Sequence, residues 1–324
     1  MANKVQCELC PTECVLEDYQ VGGCRVRINK GGVLYSLVYG KPCAVAVDPI
    51  EKKPFFHFLP ATTAFSIATA GCVLGCKFCQ NWQISQAKPE ETDNKDLMPD
   101  EVIRQAIFYN CRTITYTYTE PAVFYEYMYD TAKIAKNFDL KNAMHTCGYI
   151  NEKPLKELTK YMDAADVDLK AFTEDFYSRI CGGRLKPVLE SLVLLKKQGV
   201  WLEITNLVIP TLNDDMNKIK AMCKWIAGNL GADVPLHFSR FFPYYKLKDL
   251  PPTPLETLKD ARNTAMNAGL KYVYLGNLRS ETENTYCPGC KKLLIERIGY
   301  NVRQNNINNA KCNFCGTVIS GIWS

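Results

Sequence analysis

The sequence predicts an α/β protein built on a partial (β/α)6 barrel of TIM type, with small cysteine-rich, metal-binding elements at its N- and C-terminal ends. Three observations predict it. From residue 62 onward short β-rich runs alternate with amphipathic stretches; the alternation stops after residue 280; and most of the 16 cysteines fall into three tight groups. Repeated strand-helix units imply a parallel sheet with crossover helices. The glycine-rich first turn of an open doubly wound sheet is missing, which favours the barrel.

Residues 1–60 read as a cysteine-rich cap. Within it "VGGCRVRINKGGVLYSLVYGKP" predicts a short hairpin, because two extended runs flank "NKGG". "DPIEKKPFFHFLP" reads as a proline-bounded linker closing the cap. Residues 61–280 form the barrel. Its strands are expected in "AFSIATAG", "TITYTYTEP", "NAMHTCG", "AADVDLKAF", "WLEITNLVIP", "PLHFSRFFP" and "YVYLGN". Its helices are expected in "PDEVIRQAIFYN", "KPLKELTKYM", "KPVLESLVLLKKQG", "DDMNKIKAMCKWIAGNLG" and "PLETLKDARNTAMNAGL". Residues 281–324 read as a zinc-ribbon-like or rubredoxin-like knuckle, two CxxC turns carried on hairpins.

Composition narrows the function. A net charge of +5 over 324 residues is mild, and the basic residues are interleaved with acids, so nothing supports a nucleic-acid surface. No apolar run is long enough to span a membrane, and the N-terminus lacks a signal-peptide pattern, so a cytoplasmic protein is expected. A reducing cytoplasm keeps thiols free, so grouped cysteines point to metal rather than disulfides.

"GCVLGCKFC" places Cys72, Cys76 and Cys79 on one loop directly after the first predicted strand, with no fourth cysteine nearby. In a barrel, chemistry sits at the C-terminal ends of the strands. Such a loop can hold three corners of an iron-sulfur cube while Phe78 shields it, leaving the fourth iron open as a catalytic zinc leaves one position open.

CxxxCxxC after the first strand resembles the radical S-adenosylmethionine (SAM) superfamily. "CELCPTEC", "YGKPCAVAVDPIEKKPFFHFLP", "CQNWQISQ", "GRLKPVLESL" and "CNFCGTVISGIW" resemble more closely the radical SAM enzyme of the AmmeMemoRadiSam system, related to pyruvate formate-lyase activating enzymes. The resemblance implies a 4Fe-4S cluster with three cysteine ligands, its open iron chelated by SAM, and a 5'-deoxyadenosyl radical that abstracts hydrogen. It also implies roles at strand ends. Glu120 in "YTYTEPA" would accept from the methionine ammonium, and Asp168 and Lys170 in "DVDLKAF" would sit beside the cofactor. Asn206 and Val208 would line the nucleoside, and His237 would contact it. A reductant such as flavodoxin or ferredoxin and a Memo-like partner protein are implied as well.

Where relatives carry Thr-Asn-Gly after the third strand, this chain has "HTCG", which puts the Cys147 thiol near the cavity. Cys147 and Cys181 each have two readings, a hydrogen-atom donor to a substrate radical or a small apolar filler, and the filler is the commoner fate of buried cysteine. The glycines after Cys181 suggest a close backbone approach.

Cys287, Cys290, Cys312 and Cys315 have zinc-ribbon spacing. Zinc is the first choice, a rubredoxin-like iron the second and a further 4Fe-4S cluster the third. Cys7, Cys10, Cys14 and Cys24 are spaced less regularly and are also expected to hold zinc, with an auxiliary iron-sulfur cluster as the alternative. The expected function is hydrogen abstraction from a protein or peptide, as in an activase. The alternatives are a radical SAM enzyme acting on a small metabolite and a non-catalytic zinc-ribbon scaffold that binds nucleic acid.

Overall fold

The central sheet of the computed structural model, which describes residues 3–278 and 281–324, holds eight strands in sequence order from one edge to the other. They are β1 (Ala44–Pro49), β2 (Thr63–Ala68), β3 (Thr113–Tyr116), β4 (Lys141–Thr146), β5 (Ala164–Asp168), β6 (Trp201–Val208), β7 (Leu236–Arg240) and β8 (Val273–Gly276). β2 to β8 are parallel to their neighbours, and β1 alone pairs antiparallel, with Ala44 opposite Ala68 and Asp48 opposite Ala64. Crossover helices join the parallel strands: α1 (Pro99–Phe108), α2 (Tyr125–Ala135), α3 (Glu152–Leu158), α4 (Leu185–Lys197), α5 (Met216–Asn229) and α6 (Leu255–Asn267). This is the α/β architecture that the alternation predicts, a mostly parallel sheet of the barrel type.

Helix α4 illustrates why these segments fold as they do. Leu185, Val188, Leu192 and Leu195 recur every three or four residues and are buried together, while Lys196 and Lys197 meet the negative end of the helix dipole. Gly199, at φ 78°, takes the left-handed turn that ends the helix. Each buried Leu contributes roughly 1.5–3 kcal/mol, and Leu192→Ala would cost about 2–5 kcal/mol. Helix α5 is capped by Asp215, whose carboxylate accepts from Asn217 N at 2.7 Å and Lys218 N at 3.3 Å. Helix α2 was not anticipated: its run "YEYMYDTAKIA" is tyrosine-rich, which favours a strand reading. Packing decides instead, since Tyr127, Met128, Thr131, Ala132 and Ala135 form its buried face.

Residues 44–60 depart from the cap expected for 1–60. β1 belongs to the main sheet, and the segment read as a linker plugs the lower end of the barrel. Ile50, Phe55, Phe58 and Leu59 pack with Ala64, Ala143 and Ala164 of the strands, small residues that leave room for them. Backbone N–H groups of Phe56 and His57 donate to the buried Glu203 carboxylate at 3.1 and 2.8 Å. The C-terminal tail completes the plug, with Leu59 N donating to Ile322 O at 2.7 Å and Ile322 N to His57 O at 2.8 Å.

The expected N-terminal hairpin forms over Arg27–Lys30 and Val33–Ser36, with Gly31 and Gly32 at positive φ in its two-residue turn. It docks through a bidentate Arg27–Glu126 pair, both contacts 2.8 Å. At the other end, Leu293–Ile298 and Asn301–Asn305 form a hairpin whose Arg297 is buried against the plug and donates to Phe56 O at 2.7 Å.

Candidate functional site

Cys72, Cys76 and Cys79 leave the C-terminal end of β2 on an irregular loop held by its surroundings rather than by regular structure. Gly71 N donates to Ile84 O at 2.9 Å, Gly75 N to Cys181 O at 2.8 Å and Lys77 N to Ile180 O at 2.9 Å. Two glycines allow the close packing. Gly71, at φ 91°, has a space for Cβ only 2.5 Å from Cys24 O, and a Cβ on Gly183 would lie 2.5 Å from Leu74 Cδ2. The second contact is the close approach expected after Cys181. Leu74 N points at Cys72 Sγ (3.4 Å) and Ser85 Oγ lies 3.2 Å from Cys79 Sγ, both within hydrogen-bond reach of a thiolate.

All three cysteines face one cavity of about 1090 Å³, also lined by Cys147, Asp168, Lys170, Thr205 and His237. Ligand pockets typically hold ~300–1,000 Å³, so there is room for more than one guest. Lys170 Nζ donates to Asp168 Oδ2 at 2.8 Å and lies over the Phe78 ring. Burial opposes charge on Lys170, but the Asp168 carboxylate outweighs it and keeps the ammonium protonated. His237 Nε2 is 2.7 Å from Glu203 Oε2, and its ring stacks on Tyr274 at 5.1 Å.

The parallel between strand register and site explains the departures. On β6 the cavity receives Thr205 and Leu207; Asn206 and Val208 point to the opposite face, because successive strand residues alternate sides. Asn206 instead donates to Leu169 O at 2.7 Å. Neither Asn206 nor Val208 lines the cavity, contrary to the expectation for this pair. Glu120 is fully buried and its carboxylate is occupied by protein: it accepts from Thr146 Oγ1 at 2.6 Å, Cys147 N at 2.7 Å and Ala122 N at 3.1 Å. It faces these donors, not the cavity, which corrects its expected contact with a cofactor amine. Cys147 does line the cavity, and burial together with the Glu120 charge keeps its thiol protonated. Cys181 packs behind the loop beside Cys76 and is not part of the cavity wall, which removes the geometric basis for a donor role there.

Two groups were not legible from sequence. His145 Nδ1 lies 2.5 Å from Asp166 Oδ2 and its Nε2 3.6 Å from Asp168 Oδ1, while Thr205 donates to Asp166 at 3.0 Å. Burial would lower the imidazole pKa, but Asp168 and Asp166 raise it to about 9. Period-two alternation along "NAMHTCG" was the available signal. The second group, Asp48, Lys53 and Tyr118, comes from the supposed linker and from β3's exit loop.

Residues 66–223 match the family described as the Radical SAM superfamily. The chain is 49% identical over 320 residues to an uncharacterized protein of Methanocaldococcus jannaschii, covering 98% of this chain and 95% of that one. It is 23% identical to the pyruvate formate-lyase-activating enzyme of Clostridium pasteurianum over 199 residues, 56% of this chain and 80% of that enzyme. The chain belongs to the radical SAM superfamily. A radical SAM methyltransferase from Sphaerobacter thermophilus shares the fold at a TM-score of 0.54 and 15% identity, covering 73% of this chain and 71% of the other.

As a radical SAM enzyme the chain is expected to hold a 4Fe-4S cluster and SAM, and the donor set fits: three thiols of one loop line one cavity, and the one further cysteine in its wall is the protonated Cys147. Enzyme membership sets aside the non-catalytic scaffold. Among the described residues no helix is long and apolar enough to cross a membrane.

The C-terminal quartet forms a second metal-competent centre. Cys287 and Cys315 sulfurs are 3.6 Å apart, Cys290 and Cys312 sulfurs 3.8 Å, and all four lie within 4.8 Å of one another. A tetrahedral ion with bonds of ~2.3 Å sets its sulfurs ~3.8 Å apart, so the quartet fits one zinc or iron ion and is too tight for a four-iron cube. Hydrogen bonds from Thr317 lower the Cys315 thiol to about 6, favouring the thiolate a metal needs. At the N-terminus Cys7, Cys10, Cys14 and Cys24 gather on one knuckle, but no three of their sulfurs converge to the same 4.8 Å.

Proposed function

We propose that Cys72, Cys76 and Cys79 hold three irons of a 4Fe-4S cluster whose open iron binds SAM, and that the enzyme takes a hydrogen atom from a protein or peptide substrate as activating enzymes do. The bound cofactor supplies the chemistry, an electron-driven cleavage of SAM to a 5'-deoxyadenosyl radical. The chain's own residues bind, orient and shield. Lys170, kept charged by Asp168, offers a cation to the methionine carboxylate. His237, fixed by Glu203, and Thr205 present hydrogen-bonding groups to the nucleoside. Glu120 positions Thr146 and Cys147 from behind. Cys147 presents a neutral thiol in the cavity wall, within the space a substrate would fill.

The observation that carries this proposal is the shared cavity: three cysteines of one loop with Asp168, Lys170 and His237 across from them. A flavodoxin or ferredoxin would deliver the electron, and a Memo-like protein is the proposed partner. Zinc is proposed for Cys287, Cys290, Cys312 and Cys315, and for the N-terminal quartet once binding draws its sulfurs together. A second reading, a small-metabolite substrate, is favoured by the ionisable groups that line the cavity below the loop. Electron paramagnetic resonance of the anaerobically reconstituted, reduced protein tests the proposal. Adding SAM should change the cluster signal, and an unchanged signal with intact iron would refute an open, SAM-binding iron.

A further inference from the structure

Lys52, Lys53 and Tyr118, with Asp48 behind them, make a polar corner of the cavity beside the exit loop of β3, where Asn81, two residues after Cys79, donates to Tyr118 O at 3.0 Å. Asp48 pairs with Ala64 on β2, four residues before Ala68, so it enters about 13 Å along the strand below the end that carries the loop. Lys53 is only 2% exposed, yet it lines the cavity, as do Lys52 and Tyr118. Lys53 Nζ donates to Asp48 Oδ2 at 2.6 Å and to Tyr118 Oη at 2.7 Å, and Tyr118 Oη donates to the same Asp48 oxygen at 2.5 Å. Lys52 Nζ donates to Asp48 Oδ1 at 2.7 Å.

Charge and donors do not balance. Two ammonium groups share one carboxylate, leaving one positive charge in excess. An ammonium has three N–H donors. Asp48 and Tyr118 accept two from Lys53, so among the described residues one donor of this buried ammonium is left facing the cavity, while Lys52, 42% exposed, turns its remaining donors to the cavity mouth. Burying such a group without an acceptor is costly. Burial lowers the Lys53 pKa to about 8 in spite of Asp48, and an anion beside it would favour the charged form. Tyr118 is held at φ 67°, a left-handed conformation that a bulky residue adopts at a cost of roughly 1–2 kcal/mol, and it is there that its hydroxyl meets Lys53.

We infer that Lys52, Lys53 and Tyr118 form an anchor for an oxyanion, a carboxylate or phosphate, on a substrate that occupies the cavity. The inference rests on the proposed radical chemistry for what happens to that substrate, but the anchor itself is a binding site with its own readout.

The test uses the full chain, reconstituted without oxygen. Inorganic phosphate and acetate are titrated separately, and protection of Lys53 from acetylation is followed by peptide mass at pH 8. The expected result is saturable protection of fivefold or more by at least one oxyanion, with none by chloride at equal ionic strength. Which oxyanion protects better tells phosphate from carboxylate. Lys53→Met should weaken the phosphate or acetate affinity in calorimetry at least tenfold. Because that change leaves Asp48 buried without its partner, the Asp48→Asn, Lys53→Met double variant serves as the folded control and should also fail to bind. Protection equal to that of chloride, or unchanged affinity in both variants, would overturn the anchor. So would competition by SAM, since the site would then belong to the cofactor's own carboxylate. Formation of 5'-deoxyadenosine by the wild-type preparation is scored separately, so a failure of the radical chemistry is not mistaken for a failure of the anchor.

Discussion

The Glu120 carboxylate accepts the backbone N–H of Cys147 at 2.7 Å. Through this bond the exit of β3 fixes the exit of β4, two strand ends that both border the cavity. Glu120 also holds Thr146 and Ala122, so removing it strands three buried donors. Glu120→Ala should cost about 3–4 kcal/mol by urea unfolding, while Glu120→Gln, which keeps an acceptor, should cost about half as much. SAM affinity of folded Glu120→Gln should stay within about threefold of wild type. A loss of a hundredfold in affinity with little loss of stability would return Glu120 to the cofactor.

His145 gives the protein a dependence on pH. Its folded pKa, raised to about 9 by Asp168 and Asp166 against the effect of burial, lies above the ordinary 6.5. The charged imidazole therefore stabilises the fold fully below about pH 6.5, and that contribution is lost as pH rises through 9. A rise of this size corresponds to about 3 kcal/mol. From pH 6.5 to 9.5 the unfolding free energy of the wild type should fall by that order relative to His145→Gln, since Lys53, whose lowered pKa of about 8 acts in the opposite sense, titrates in both proteins. Parallel curves for the two proteins would rule out the imidazolium.

Gly71 joins the cysteine loop to the N-terminal knuckle. At φ 91°, with Cys24 O 2.5 Å from where a Cβ would sit, Gly71→Ala should combine backbone strain with a clash against main chain. The expected outcome is loss of at least half the reconstituted iron at wild-type conditions, accompanied by destabilisation of about 3 kcal/mol. Full iron incorporation in a protein of unchanged stability would show that the loop does not need this contact.

The C-terminal quartet should bind one equivalent of metal independently of the cluster. Cys290→Ser is expected to lower zinc by one per chain by elemental analysis and leave the visible absorption of the iron-sulfur cluster unchanged. Because Arg297 and the Ile322 backbone tie this knuckle to the plug, the same variant should also unfold several degrees earlier. Loss of iron rather than zinc would assign the quartet to iron.

Much of this was legible in the sequence, and what was not has physical causes. The seven parallel strands announced themselves as short β-branched and aromatic runs between amphipathic helices, and the cysteine trio was tied to the end of the first of them by position alone. Asp168 and Lys170 line the cavity from the end of β5, as their motif places them, whereas His237 lines it from the second residue of β7, beside Glu203 and Phe56, and not from the strand end expected for it. Asn206 and Val208 were one residue out of phase, since motif position gives the strand but only the pleat gives the face. Cys147 and Cys181 looked equivalent as buried thiols; only the tertiary course of the loop separates the one in the cavity wall from the one behind it. The plug was misread because "DPIEKKPFFHFLP" has the prolines of a linker, and nothing local reveals that Ala64, Ala143 and Ala164 leave a space for its phenylalanines.

The most direct measurement is the product of reductive SAM cleavage. Anaerobically reconstituted protein incubated with dithionite and SAM should release 5'-deoxyadenosine over many minutes, and the Cys76→Ala variant should release none. A wild-type protein with a full complement of iron and an intact cluster that forms no 5'-deoxyadenosine would contradict the account.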